Sequence, residues 1–203
     1  GLTSDANIQY IKKDTDQVHI SWGFKGFGRN SKYRYAQGVL DVILGSGFTS
    51  RLFQKIRQQR SLAYAVGSDS ELYLNIGLMD IYIGTDQSKV ADAIEIIWHE
   101  LQGIACKLSG YEISESELIK AKSYLRGKTA LRLDNSMNLA MSYGGQLLLE
   151  DKILTWDEIL QQIDEVTLDD VHAVAESLFR KENMHIVLGG KKVNTSKLAS
   201  ILE

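Results

Sequence analysis

The stretch "YAVGSDSELYLNIGLMDIYI", Tyr64 to Ile83, reads as a β-hairpin. Tyr64 to Leu74 and Ile76 to Ile83 form its arms, and Asn75 and Gly77 supply turn chemistry between them. Gly84-Thr85-Asp86 ends the hairpin and opens the longest periodic segment of the chain. There Val90, Ile94, Ile97, Leu101, Ile104 and Leu108 recur at alternating steps of four and three, the single apolar stripe of an amphipathic helix.

Upstream, Asn7 to Lys13 and Gln17 to Phe24 read as a second pair of strands joined by Asp14-Thr15-Asp16. In the second arm Val18, Ile20, Trp22 and Phe24 alternate with polar residues, which places Trp22 in the core. A helix beginning near Ser31 carries Tyr35, Val39, Val42 and Ile43 on one face and stops at Gly45-Ser46-Gly47. Downstream, Ser114 with Glu117, Thr155 with Glu158 and Thr167 with Asp170 have capping-box spacing, so each marks a helix start. Met184 to Leu188 is a last short strand before a small terminal helix. Two hairpins with most helices grouped between strands predict an α+β fold, an antiparallel β-sheet with its helices packed mainly on one face. No linker or repeat divides residues 1–203, so a single domain is expected.

The composition narrows function mainly by exclusion. The chain is 44% hydrophobic and 24% charged, the balance of an ordinary globular chain. A net charge of −3 offers no electrostatic case for nucleic acid, and no segment is apolar and long enough to cross a membrane. The start, Gly1 to Asn7, has neither the charge nor the apolar run of a signal peptide and lacks an initiator methionine. The sequence reads as a piece of a longer chain, with the cytoplasm placed ahead of the periplasm. Cys106 falls on the apolar stripe and is expected to be a buried thiol.

Metal and nucleophile chemistry find little support. His19, His99, His172 and His185 include no two at a ligand spacing of three to five residues, and His99 is expected at the surface. Gly45-Ser46-Gly47-Phe48-Thr49-Ser50 begins like a nucleotide loop but follows a helix where that mechanism needs a strand. It reads better as a helix stop, with Thr49 or Ser50 capping the next helix, although such a glycine corner also leaves backbone open to a peptide. No serine sits in a nucleophile elbow. That leaves Arg57 and, seven residues on, Tyr64, in the basic run "SRLFQKIRQQRSLAYAV" from Ser50 to Val66. One reading is a solvated arginine and a packed tyrosine. The other is a guanidinium and a phenol presented together to a substrate, able to stabilise a reaction but not to begin one.

The stretch "VILGSGFTSRLFQKIRQQRSLAYAV", Val42 to Val66, resembles the second, non-zinc half of the pitrilysin/insulinase peptidases, in the branch of the mitochondrial processing peptidases and their bacterial relatives. The likeness continues through Gly77 to Ile97, Glu117 to Leu149 and Ile159 to Phe179. In that family two homologous halves close around an extended peptide. The first carries zinc on an H-x-x-E-H motif; the second contributes an arginine and a tyrosine seven residues later. The resemblance thus implies that Arg57 and Tyr64 are catalytic; Gly45, Ser46, Gly47 and Phe48, the expected substrate contacts, stand where the recognition subunit of the processing peptidases has a much longer glycine-rich loop. It implies no metal in this chain, zinc in a partner half that is fused or separate, and no peptidase activity alone. The alternative within the same fold is a structural or partner-binding relative, like the respiratory-complex core proteins. A nucleotide module resting on Gly45-Ser46-Gly47 is the third reading.

Overall fold

The computed structural model describes residues 8–133, 135–191 and 193–202. Strands β1 (Ile8–Lys12), β2 (Val18–Gly26), β3 (Ala65–Leu72), β4 (Gly77–Thr85) and β5 (Met184–Gly190) form one sheet in the order β1-β5-β2-β4-β3. The expected hairpin is β3–β4, paired from Ala65 opposite Gly84 to Leu72 opposite Gly77 and closed by Tyr73 donating its amide to the Ile76 carbonyl at 2.9 Å.

The other expected hairpin does not form. Strand β5 lies between β1 and β2, parallel to β1 and antiparallel to β2. The physical reason is burial. A strand with two neighbours must be able to fill the core, and β5 buries Met184, Ile186 and Leu188, whereas β1 buries Ile8 alone and so suits an edge. Asn7, the expected first residue of β1, lies outside the described residues.

The helices are α1 (Arg34–Leu44), α2 (Val90–Ala105), α3 (Glu115–Leu133), α4 (Ser136–Glu150), α5 (Trp156–Asp164), α6 (Leu168–Leu178) and α7 (Thr195–Ile201). Helices α1, α6 and α7 pack on β3, β2 and β1, and α2 packs on α6 and α7. Between sheet and helices lie Val18, Ile20, Trp22 and Phe24 of β2 with Met79, Ile81 and Ile83 of β4, all buried as the alternation requires. Trp22 stacks on Trp98 of α2 at 5.8 Å between ring centroids. The sheet's other face is polar. On it Ser21 donates to Asp80 at 2.6 Å, His19 Nδ1 and the Tyr82 hydroxyl are 2.7 Å apart, and Asp69 stands opposite Asp80.

The α2 stripe is buried from Val90 through Ile104. Leu108 is exposed, because the helix ends at Ala105 and the chain reverses through Lys107 in the left-handed region. Cys106 is the residue just past that end and is exposed, which corrects the expectation of a buried thiol. The capping boxes at Thr155/Glu158 and Thr167/Asp170 form with both reciprocal hydrogen bonds, and Ser114/Glu117 does the same at the start of α3.

Candidate functional site

The glycine corner is built by close approach. A Cβ on Gly45 would stand 2.1 Å from the backbone nitrogen of Ser68, so only glycine lets α1 end against β3. Gly47 has φ +99°, a conformation that again favours glycine. Asp41 anchors the corner from within. Its carboxylate accepts from the Ser68 hydroxyl at 2.5 Å and the Ser46 hydroxyl at 3.1 Å, while its carbonyl accepts from the amide of Gly45. Burial pushes the Asp41 carboxyl up from its ordinary pKa, against the lowering effect of those two hydroxyls.

Ser50 is buried, and its hydroxyl donates back to the Gly47 carbonyl at 2.7 Å instead of capping a helix, so the expected Thr49 or Ser50 cap is not made. After one α-helical turn residue pair, 51–52, the chain runs as a π-helix over Phe53–Gln58. The wider turn divides the basic run by direction. Leu52 and Ile56 enter the core. Arg51 turns inward, donating to Glu100 at 2.9 Å and to Glu117 through Nε at 2.6 Å, and Lys55 pairs with the other Glu100 oxygen. The Glu100 side chain is 1% exposed, so this pair of cations compensates a carboxylate inside the protein. Although burial raises the pKa of Glu117, the Arg51 hydrogen bonds and charge and the Ser114 donors lower it to about 2.

Arg57 and Arg60 point the other way, into solvent. The Arg57 guanidinium lies over the Phe53 ring at 5.2 Å and, among the described residues, its side chain makes no hydrogen bond or ion pair. Phe53 in turn meets Phe48 edge to face at 5.2 Å, and Gln54 donates to the Phe48 carbonyl at 2.6 Å. Phe48 itself is 77% exposed. The structure therefore joins the Gly45–Phe48 corner to Arg57 through Phe53, while Gln54 ties the same corner to the π-helix.

Tyr64 stands at the far end of the turn over residues 58–63. That turn is stapled to the end of β4 and to the residues just before α2, because Thr85 donates to the Leu62 carbonyl and Lys89 to the Ser61 carbonyl. The Tyr64 amide donates to the Gly84 carbonyl at 2.8 Å, and its hydroxyl donates to Asp86 Oδ2 at 2.9 Å. The side chain is exposed, not packed in the core. The bond to Asp86, followed by the charge of that carboxylate, raises the tyrosine pKa, so Tyr64 is a phenol at neutral pH. No hydrogen bond, ion pair or ring contact links Tyr64 to Arg57 among the described residues. Arg57 can thus bind a carboxylate or carbonyl as it stands, whereas Tyr64 must turn away from Asp86 before its proton can serve a substrate.

Sequence reasoning missed Asp41, Asp86 and the Arg51–Glu100 pair. A signal existed for the first: Asp41 interrupts the apolar run Val39, Leu40, Val42, Ile43. Among the described residues no three His, Cys, Asp or Glu side chains are grouped to hold a metal ion. A cavity of about 420 Å³ lies elsewhere, walled by Met141, Tyr143, Gly145, Leu154 and Trp156 with Arg29, Arg34 and Glu150 at one end. None of the six residues expected at the site lines it.

Known proteins resemble this chain closely. The family described as the peptidase M16 inactive domain matches residues 3–125. An uncharacterized zinc protease of Streptomyces coelicolor is 34% identical over 91% of this chain, and one of Bacillus subtilis is 33% identical over 84%. These matches cover 39% and 41% of the relatives, so the chain spans about two fifths of their length. Among solved structures, the peptidase M16 inactive domain from Pseudomonas fluorescens superposes with a TM-score of 0.77 at 21% identity, covering 93% of this chain and 44% of that one. A chain of the Candida albicans complex III2 superposes at 0.82 with 19% identity, covering 97% and 49%.

Proposed function

Since this chain belongs to the peptidase M16 family of zinc proteases, as its inactive domain, we propose that it is the substrate-binding half of a zinc metalloendopeptidase. In this reading it is one part of a two-half protein, and the zinc and its H-x-x-E-H ligands belong to the other half, fused or separate. This domain contributes Arg57 and Tyr64 to a composite site. The observation that carries the reading is the state of Arg57: an arginine in a run whose other early cations are spent on Glu100 keeps its own donors free. Arg57 then binds a carbonyl or carboxylate of an extended peptide. Phe48 and the open backbone of Gly45, Ser46 and Gly47 offer an apolar contact and a close approach to the peptide beside it. Tyr64 exchanges Asp86 for the developing oxyanion as the peptide carbonyl becomes tetrahedral.

The test is kinetic, with the zinc half present. Tyr64→Phe removes one oxyanion donor and keeps the ring, so kcat is expected to fall about a hundred- to a thousandfold with KM little changed. Arg57→Ala is expected to raise KM as well as lower kcat, and Arg60→Ala to leave both near the wild type. This domain alone is expected to hydrolyse no peptide. Wild-type turnover by both Tyr64→Phe and Arg57→Ala would overturn the composite site. It would favour the second reading, a non-catalytic partner-binding relative, to which the existing Tyr64–Asp86 bond lends support.

A further inference from the structure

The cavity between α1, α4 and α5 has two kinds of wall. Leu72, Met141, Leu154, Trp156 and Ile159 present apolar surface to it. At one end Arg29 and Arg34 converge on a single carboxylate, Glu150, at 3.2 and 2.6 Å. Backbone carbonyls hold both guanidiniums in place. Arg29 Nε donates to Leu72 at 3.2 Å, and Arg34 Nη1 to Arg29 at 2.9 Å. Arg34 Nη2 donates to the Tyr35 hydroxyl, while Arg29 Nη2 makes no hydrogen bond among the described residues. The volume of about 420 Å³ lies within the range of small-molecule sites, about 300–1,000 Å³. Leu72 ends β3 and Tyr64 immediately precedes it, so the eight-residue strand sets the cavity about 25 Å from Tyr64.

Charge selects what the polar end can take. Glu150 is the last residue of α4, where the helix dipole opposes a carboxylate, so the pull of the two guanidiniums is what seats it there. One carboxylate on two guanidiniums leaves positive charge in excess. A more open hollow shares Arg29, Arg34, Glu150 and Leu154 with the cavity and adds Lys32 and Lys152. Its second carboxylate, Glu158, already accepts from the Thr155 amide and hydroxyl. Positive charge thus gathers here in a chain whose net charge is −3. We infer that the cavity binds a small apolar carboxylate. Its body lies against Trp156, Leu154 and Met141, and its anionic end reaches Arg29 and Arg34 in competition with Glu150. A short peptide with an apolar C-terminal residue and a fatty acid share that chemistry. The site stands independently of the composite-site reading.

Trp156 makes the test direct. Trp22 and Trp98 are buried in the core, so Trp156 is the tryptophan whose fluorescence a ligand in the cavity reaches. N-acetyl-Leu-Phe and decanoate, each titrated into the chain, are the peptide and fatty-acid probes. At least one is expected to give a saturable change with a Kd below about 1 mM. Saturation by N-acetyl-Leu-Phe alone assigns a peptide end, and by decanoate alone a fatty acid. Replacing the carboxylate of the bound probe with its neutral amide is expected to weaken binding at least about tenfold. Glu150→Gln removes the competing anion at nearly constant size, so affinity for the same acid is expected to rise about three- to tenfold. Arg29→Gln is expected to lower it about tenfold. A mere staple between α4 and α1 requires the opposite sign from Glu150→Gln, since loosening the staple disturbs the cavity. Weaker binding by Glu150→Gln would therefore overturn the site, as would equal binding of acid and amide, or no saturation by either acid at roughly 5 mM. The acid-against-amide comparison uses the unaltered protein and decides the matter even where a variant does not fold.

Discussion

Helices α2 and α4 are of nearly equal length, 16 and 15 residues, and each carries an apolar repeat at steps of three and four. In α2 that repeat is sealed between the sheet and α6, with Trp98 stacked on Trp22 and Glu100 held by Arg51 and Lys55. In α4 the inner face is carried by Gln146, which accepts from the Leu154 amide at 2.8 Å, and the apolar repeat looks out. The contrast teaches that helical periodicity identifies a face that needs covering and says nothing of what covers it. Burial inside the chain makes the α2 stripe a matter of stability. Exposure leaves the α4 stripe with little part in the stability of the chain alone.

Substitutions can break that contrast. The largest effect is expected from Glu100→Ala in α2, which leaves Arg51 and Lys55 facing an empty buried position. Losing one partner of such a pair costs about 3–5 kcal/mol, readable as a lowered urea midpoint. Leu101→Ala in the same helix should cost about 2–5 kcal/mol through lost burial and a cavity. Next comes acid. The folded pKa of Glu117, about 2, lies below its ordinary 4.5, so the unfolded chain takes up the proton first. The stabilisation is therefore complete above pH 4.5 and is lost as pH falls from there through 2. It should amount to about 1–2 kcal/mol after solvent screening. Urea midpoints between pH 6 and 3 should fall less steeply in Glu117→Gln than in the wild type. Smallest is Leu148→Ala in α4, expected within about 0.5 kcal/mol of the wild type in the chain alone. A loss there as large as that of Leu101→Ala would erase the distinction between the two helices.

The parts of this molecule legible in sequence are those made by neighbours in the chain. The β3–β4 hairpin, the α2 stripe and the capping boxes are local patterns, and each was readable from a dozen or so residues. Strand β5 was readable as a strand but not in its place, because its partners Ile8 and Trp22 are set by which strand can fill the core, a property of the whole sheet. At the site, the spacing of Arg57 and Tyr64 was legible, while the choice between a packed and an exposed Tyr64 waited for the structure, which leaves it exposed. The inward turn of Arg51 and Lys55 was not, since an α-helical phase does not describe Phe53–Gln58. Asp86 escaped notice because its role depends on a hydroxyl brought to it by strand pairing, from 22 residues away.

The place of β5 also bears on how the protein is made. A ribosome delivers β2 early and β4 soon after, so one side of β2 can be satisfied while translation proceeds. Its other side must wait for β5, roughly a hundred residues later, on the order of 5–20 s at ordinary elongation rates. Through that interval the nascent chain displays an unpaired apolar strand edge, with β1 also lacking its neighbour. An interior strand of the finished sheet is the last of its strands to be synthesised, and until then the half-made chain is open to pairing with the wrong strand.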